Sequence, residues 1–215
     1  SNKLEGTFKV AHTSVNPSPN PPNPSPSPVP PSPNPSCGGF SDVAASDCIY
    51  AEYVKSIGWM TGYANGDFGP ENKLNRAEIA KIVQVQEFDD KTDYCLGVNP
   101  FPDVTPSLWA FQYICRAKKE GIMTGYLTGV DAGYARPERD VNRAEFLAFL
   151  LRNVSGSMNG GSSYNDVSVG QWYEKYAKYS YDNKLFTGNY LYPTQPTRRI
   201  EVARVIYRLH QLGKI

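Results

Sequence analysis

The chain repeats one set of short motifs three times, and this repetition limits its possible folds more than any other feature of the sequence. An aromatic residue followed by Asp and Val at the second and third positions after it occurs at residues 40–43, 101–104 and 164–167. Each copy continues to a glycine that follows a threonine: Gly62, Gly125 and Gly188, with intervals of 63 residues in both cases. We therefore expect three related structural units.

The last motif of each copy marks the start of a helix. Its sequence is Asn-Arg-Ala-Glu at residues 75–78 and 142–145, and Arg-Arg-Ile-Glu at residues 198–201. Asn75 with Glu78, and Asn142 with Glu145, have the spacing of a capping box. The first helix of each copy is predicted at residues 48–57, 108–120 and 171–183. Turn-forming residues separate the two helices, with extra loop residues 127–133 in the second copy.

These elements predict a mainly α fold of three helix–loop–helix repeats. The helix after the third motif has an apolar stripe at i, i+3, i+4 and i+7, formed by Val202, Val205, Ile206 and Leu209. Three helices with such stripes are expected to bury them against one another. We predict a pseudo-threefold, three-pronged bundle with a central three-helix core, built from segment 1 (residues 37–94), segment 2 (residues 95–160) and segment 3 (residues 161–215).

The region before the repeats has a different composition. Eleven of the 18 prolines lie in residues 16–36, mixed with Ser and Asn. Such a stretch lacks the apolar surface needed for a core, and proline favours an extended path. We interpret it as a linker. Residues 1–15 are interpreted as the tail of an upstream domain.

Charge and composition exclude several function classes. The chain has 22 Lys+Arg and 21 Asp+Glu, which argues against an electrostatic nucleic-acid binder. It has only two histidines, so neither a histidine-rich metal site nor a His-dependent catalytic triad is expected. No apolar run is long enough to span a bilayer. No metal, cofactor or membrane span is predicted.

The four cysteines favour disulfides over zinc. They have no Cys-x-x-Cys spacing. Three pairings are possible, and we favour Cys37–Cys48 with Cys95–Cys115, because each then joins the start of a copy to its first helix. Disulfides indicate an oxidising, extracellular setting. The alternative is four free buried thiols.

The repeated motifs resemble those of the S-layer homology domain. The similarity covers residues 40 to about 211 and includes the aromatic-x-Asp-Val motif, the glycine, the aromatic-x-Pro element at residues 68–70 and Arg-Ala-Glu. It also includes a tryptophan eight residues after the first aromatic, at Trp109 and Trp172. In segment 1 Cys48 stands at that offset. The resemblance implies a non-catalytic anchor whose grooves bind secondary cell-wall polysaccharide, often carrying pyruvate ketals.

The resemblance also implies which residues contact the glycan: Arg76, Arg143, Arg199, Trp109, Trp172, Gly62, Gly125 and Gly188. Helix N-termini and arginine forks suit a carboxylate independently of the family. Alternatively, the arginines pair with Asp42 or Asp103, and the tryptophans are core aromatics. Asp42, Asp103 and Asp166 are predicted to be helix or turn caps. The glycines are expected to have positive φ or to allow close backbone approach.

Three functional hypotheses follow. The first is an extracellular, cell-wall-associated anchor that tethers an S-layer or another surface protein through an anionic, pyruvylated glycan. Because segment 1 lacks the tryptophan and the third motif is altered, one or two working grooves are expected. The second is a protein-interaction module that has lost glycan binding. The third is an enzyme on wall glycans using Glu138 and Asp140, which nothing in the sequence places in a shared cleft.

Overall fold

The computed structural model describes residues 37–84, 91–152, 154 and 157–215. The predicted tail (residues 1–15) and linker (residues 16–36) lie outside the described residues. The helices are α1 (Cys48–Ser56), α2 (Arg76–Ile82), α3 (Phe111–Lys119), α4 (Arg143–Leu151), α5 (Glu174–Asp182) and α6 (Arg199–Gln211). A 3-10 turn, Ala45–Asp47, precedes α1. Within the described ranges the only β pairing is a set of isolated bridges, so the predicted mainly α fold is confirmed.

The first helices of segments 2 and 3 begin three residues later than predicted. The chain before α3 forms tight turns, with bonds from the Leu108 N–H to the Thr105 carbonyl and from the Phe111 N–H to the Leu108 carbonyl, both 2.9 Å. A similar turn precedes α5. Both tryptophans therefore lie in turns just ahead of a helix, and their side chains are not committed to a helix face.

The second helices have the N-terminal caps that their motifs predict. In α2 and α4 the capping asparagine and the glutamate three residues later form complete capping boxes. In α6 the Glu201 carboxylate still accepts from the Arg198 N–H at 2.9 Å. Arginine has no side-chain acceptor, so the reciprocal bond is missing in α6.

Helix packing connects the segments in sequence. α3 packs against α2, α5 packs against α4, and α1 packs against α6. The first helix of each segment thus contacts the second helix of the preceding one, with segment 1 following segment 3. The apolar stripe of α6 is fully buried, as predicted.

Three backbone hydrogen bonds follow the same cyclic order at the starts of the second helices. The Leu74 N–H donates to Thr197, the Thr197 N–H donates to Val141, and the Val141 N–H donates to Leu74, at 3.2, 2.8 and 2.9 Å. All three residues are completely buried. This closed set of bonds supports the predicted pseudo-threefold arrangement, which remains a prediction.

The disulfides join Cys37 to Cys48 and Cys95 to Cys115. This is the pairing that the repeated cysteine layout favours. No cysteine is free among the residues described. Each bridge attaches the start of its segment to the first helix, which fixes the position of α1 or α3 relative to the preceding loop.

Candidate functional site

Each segment's loop is held by an aspartate from its first motif. Asp42, Asp103 and Asp166 each accept two consecutive backbone N–H groups, at 2.7–2.9 Å. The donors are residues 68–69, 135–136 and 191–192. The aspartates therefore cap turns, as predicted, and the same bonds fix the direction of the adjoining loop carbonyls.

Those carbonyls accept hydrogen bonds from the repeated arginines. Nε of Arg76 donates to the Ala135 carbonyl at 2.6 Å, and Nε of Arg199 donates to Phe68 at 2.8 Å. Nη1 of Arg143 donates to the Leu191 carbonyl at 2.8 Å. Each arginine thus reaches the loop of the next segment. Among the described residues, Arg76 and Arg143 form their ion pairs with Glu145 and Glu201, and not with Asp42 or Asp103 as in the alternative.

A tyrosine ring lies against each of these guanidinium groups. The guanidinium carbon is 4.6 Å from the ring centre of Tyr126 for Arg76, and 4.7 Å from that of Tyr63 for Arg199. These are cation–π distances. Neither tyrosine was predicted from the sequence, although each directly follows its repeated glycine. In segment 3 an asparagine follows the glycine, and Tyr192 lies 5.8 Å from Arg143 instead.

The repeated glycines have the predicted positive φ angles: 82° at Gly62, 74° at Gly125 and 98° at Gly188. A Cβ at Gly62 would come within 2.4 Å of the Phe40 ring, and one at Gly125 within 2.9 Å of Phe101. Glycine is therefore required in segments 1 and 2 both by the backbone angle and by the first aromatic of the motif.

One groove brings together residues from all three segments. It has a volume of about 610 Å³ and lies between α4 and the turn that begins α5; we call it the α4–α5 groove. Three predicted contact residues line it: Arg76, Gly125 and Trp172. Arg143, Arg199, Trp109, Gly62 and Gly188 do not line this groove.

The lining of the α4–α5 groove has more positive than negative charge. Arg76, Arg152 and Lys175 are cationic, whereas Glu145 is the single carboxylate among the lining residues. Arg76 is 4 % exposed, and burial lowers the pKa of its guanidinium despite the opposing effects of Tyr126 and Glu145. Nη1 of Arg76 is 3.8 Å from Glu145 Oε1. Arginine stays protonated under these conditions, so the groove floor has a buried positive charge.

Both predicted contact tryptophans are exposed. Trp109 is 55 % exposed and Trp172 is 57 % exposed, so the alternative of core aromatics is wrong. Each immediately precedes the residue that caps its helix, Ala110 for α3 and Tyr173 for α5. The same position before α1, whose cap is Asp47, is occupied by Ser46. Trp59, by contrast, is buried.

The counterpart of the groove between α6 and α1, here the α6–α1 site, is occupied by side chains of the protein itself. Arg204 stands at the position in α6 that Ala148 has in α4. It donates two hydrogen bonds to the carboxylate of Asp47, at 2.8 and 2.7 Å. Arg143 on this side forms an ion pair with Glu201.

Hydrogen bonds dominate the environment of Glu201. Burial opposes its ionisation, but donation by the Arg198 N–H and by the Arg143 and Arg198 guanidiniums lowers the pKa of this carboxyl group. Arg198 also pairs with Glu71 at 2.6 Å. At the α6–α1 site Arg143, Arg198 and Arg204 are thus each paired with a carboxylate of the protein itself.

The residues that the structure describes contain neither a metal-site cluster nor a membrane-spanning helix. No cluster of His, Cys, Asp and Glu in these residues has the arrangement of a metal site. None of the described helices combines the length and the apolar character needed to cross a bilayer.

Comparison with known proteins identifies related sequences. The family model of the S-layer homology domain matches residues 39–80 and 100–147. The chain is 30 % identical over 93 residues to cell surface glycoprotein 1 of Acetivibrio thermocellus, covering 43 % of this chain and 4 % of that protein. It is 30 % identical over 130 residues to the cellulosome-anchoring protein of the same organism, covering 56 % of this chain and 27 % of that protein.

An S-layer protein is similar over a longer stretch. The chain is 27 % identical over 162 residues to S-layer protein EA1 of Bacillus anthracis, covering 72 % of this chain and 18 % of that protein. In each of these comparisons the chain spans less than a third of the relative's length.

Proposed function

We propose that the α4–α5 groove binds an anionic sugar of secondary cell-wall polysaccharide, because the family model of the S-layer homology domain matches residues 39–80 and 100–147. The domains and the relatives support the coarser conclusions directly: a non-catalytic, cell-surface anchoring role and an extracellular, cell-wall-associated location. The finer proposal is that the anchor acts by holding a charged glycan unit, such as one with a pyruvate ketal.

The observation that carries this proposal is the charge of the groove lining. Three cationic side chains and one carboxylate line the α4–α5 groove, although the whole chain has a formal net charge of only +1. A carboxylate entering this groove would meet a local excess of positive charge in a partly buried setting, where charge-assisted hydrogen bonds are strong. The ketal of a pyruvylated sugar supplies such a carboxylate.

Trp172 supplies a second element of sugar recognition. Its ring is more than half exposed and lines the same groove as Arg76. An exposed indole offers a large, rigid apolar face to the C–H surface of a pyranose ring. A groove with a cationic floor and an aromatic wall fits a sugar that has both a carboxylate and an apolar face.

The proline-rich region fits the same role. We propose that residues 16–36 separate the anchor from a domain that precedes it in the full protein. At ~3.1 Å per residue, an extended linker of this kind would span roughly 65 Å. The attached domain would then be displayed away from the wall while the helical segments hold the polymer.

A second function is favoured by the α6–α1 site. There Arg204 and Asp47 bind each other, and no tryptophan precedes α1. A surface that has lost its opening and its aromatic residue could instead dock another surface protein. This is the protein-interaction alternative, and it predicts partner binding without glycan binding.

The test is isothermal titration calorimetry of the full chain with wall polysaccharide from the organism that produces this protein. The polymer is used before and after mild acid removal of its pyruvate ketals. Trp172→Ala is expected to weaken binding about tenfold or more, as expected for an aromatic at the centre of an interface. Trp109→Ala shows whether the surface at the start of α3 also binds the polymer, by its effect on the number of sites.

Two lysines on α5 form a matched pair of variants that tests the role of charge. Lys175 lines the groove, whereas Lys178 is paired with Asp182. Lys175→Gln should weaken binding to the ketal-bearing polymer, and Lys178→Gln should not. If neither Trp172→Ala nor Lys175→Gln changes the affinity, the proposed groove is wrong. If the native polymer does not bind at all, the protein-interaction function is favoured.

A further inference from the structure

The loop on one side of the α4–α5 groove is much longer than its counterparts. We compare the loops that run from the repeated glycine to the first residue bound by the capping aspartate. They comprise residues 63–67 in segment 1, 126–134 in segment 2 and 189–190 in segment 3. These are five, nine and two residues. We call residues 126–134 the wall loop. The longest loop therefore stands at the open groove, and the shortest at the site where Arg204 binds Asp47.

The wall loop is folded on itself. The Tyr126 N–H donates to the Tyr134 carbonyl at 3.1 Å, and the Gly133 N–H donates back to Tyr126 at 2.8 Å. Asp131 accepts from Nε of Arg136, just beyond the loop, at 2.7 Å. A loop closed by its own backbone bonds can hold a side chain in a fixed position beside a ligand.

This loop presents apolar side chains to solvent at the edge of a polar groove. Leu127 is 82 % exposed and lines the groove together with Thr128. Val130, at the tip of the same loop, is 96 % exposed and does not line it. Trp172 also lines the groove, so two exposed apolar side chains stand at its border in addition to the charged floor.

The groove is larger than one sugar ring needs. Its volume of about 610 Å³ lies within the range of roughly 300–1,000 Å³ that holds drug-sized ligands. Resting on the proposed function, we propose that the wall loop contacts the sugar unit next to the one bound over the cationic floor. Leu127 packs on the apolar face of this second ring, and Thr128 offers it a hydroxyl. The groove then selects an oligosaccharide of at least two units.

The test compares ligands of different length. The probes are a single pyruvylated sugar and size-fractionated fragments of two to four units from the same polymer, titrated into the full chain. The chain is expected to bind the fragments about tenfold more tightly than the single sugar. Leu127→Asn should remove this gain and leave the affinity for the single sugar unchanged. Val130→Asn, in the same loop, should change neither affinity.

Three results would overturn the inference. The first is that the unaltered chain binds the single sugar and the fragments with equal affinity. The second is that Leu127→Asn lowers the affinity for both probes equally. The third is that Leu127→Asn does not lower the affinity for the fragments. All three leave the glycan-binding function intact. Absence of binding to every probe would instead refute the proposed function, and the inference with it.

Discussion

The α4–α5 groove and the α6–α1 site derive from the same repeated sequence but differ in what occupies them. At the sixth residue of the second helix, Ala148 lines the first, whereas Arg204 fills the second. At the cap of the following first helix, Tyr173 stands in one and Asp47 in the other. These two side-chain differences, together with a loop of nine residues instead of two and Trp172 in place of Ser46, accompany an open groove at one site and an ion pair at the other.

The arginines of the first turn show the same contrast. Arg76 forms a longer ion pair with Glu145, at 3.8 Å, and the groove also contains Arg152 and Lys175. At the α6–α1 site Arg143 pairs directly with Glu201. The difference shows that keeping an arginine in the motif does not by itself keep a charge available for a ligand. The neighbouring residues decide whether that charge is already neutralised.

The largest expected effect comes from transferring the closed ion pair into the open groove. Ala148→Arg combined with Tyr173→Asp should place a salt bridge across the α4–α5 groove. We expect binding of wall polysaccharide to weaken about 30-fold or more, since a blocked central contact is worth roughly 2 kcal/mol or more. Calorimetry measures the affinity, and thermal unfolding checks that the variant is folded.

The reverse exchange is the control for that variant. Asp47→Ala with Arg204→Ala removes the ion pair at the α6–α1 site and leaves the α4–α5 groove untouched. Polysaccharide binding should not weaken. Suppose instead that this variant loses affinity and that closing the α4–α5 groove does not. The α6–α1 site would then be the glycan-binding site, and our assignment would be wrong.

Removal of a disulfide should lower the stability of the fold without changing its affinity for the glycan. Cys37–Cys48 and Cys95–Cys115 fix α1 and α3, and neither cysteine pair lines the α4–α5 groove. Replacing one pair by serine should lower the free energy of unfolding by about 3 kcal/mol. The sequence separations of 11 and 20 residues predict a slightly larger loss for Cys95–Cys115.

Glycan affinity of the folded serine variants should equal that of the parent chain. Denaturant unfolding and calorimetry on the same samples test both halves of this prediction. A folded serine variant that bound the polysaccharide more weakly would contradict this prediction. The two sites would then be coupled through the first helices and could not be treated as independent.

The smallest expected effect concerns the buried triangle of Leu74, Val141 and Thr197. The Thr197 side chain is fully buried, and its Oγ1 has no hydrogen-bond partner. Thr197→Val should therefore stabilise the fold by about 1 kcal/mol, because it removes an unsatisfied hydroxyl at nearly constant volume. Val141→Thr, at the matching position of segment 2, should destabilise by a similar amount. Equal stability of both variants and the parent in urea unfolding would contradict this reading.

The sequence predicted local structure correctly where the interacting groups lie within one short motif. The capping boxes at Asn75 and Asn142 form because donor and acceptor lie three residues apart in the same turn. The positive φ of Gly62 followed from residue type and position. The starts of α3 and α5 were placed three residues too early, because the apolar pattern continues through turns whose hydrogen bonds it does not reveal.

The candidate site was predicted only in part. Arg76, Gly125 and Trp172 were chosen from motifs, and the structure brings these three into one groove. The tyrosines over the arginines, Lys175 and the Arg204–Asp47 pair were not predicted. Residues 47 and 204 lie 157 positions apart, and nothing in either local sequence indicates that their side chains meet.

By itself the sequence showed the threefold recurrence of the motifs and predicted the capping boxes of α2 and α4 and the disulfide layout, because these depend on contacts between neighbours or on a pattern that recurs along the chain. Only the tertiary structure showed that the α4–α5 groove is open and that Arg204 meets Asp47 at the α6–α1 site. Each groove is built from residues of all three segments, so its charge and volume depend on side chains that packing alone brings together. The sequence shows that Ala148 and Arg204 stand at matching positions. Their functional difference becomes clear only when α4 packs against α5 and α6 packs against α1.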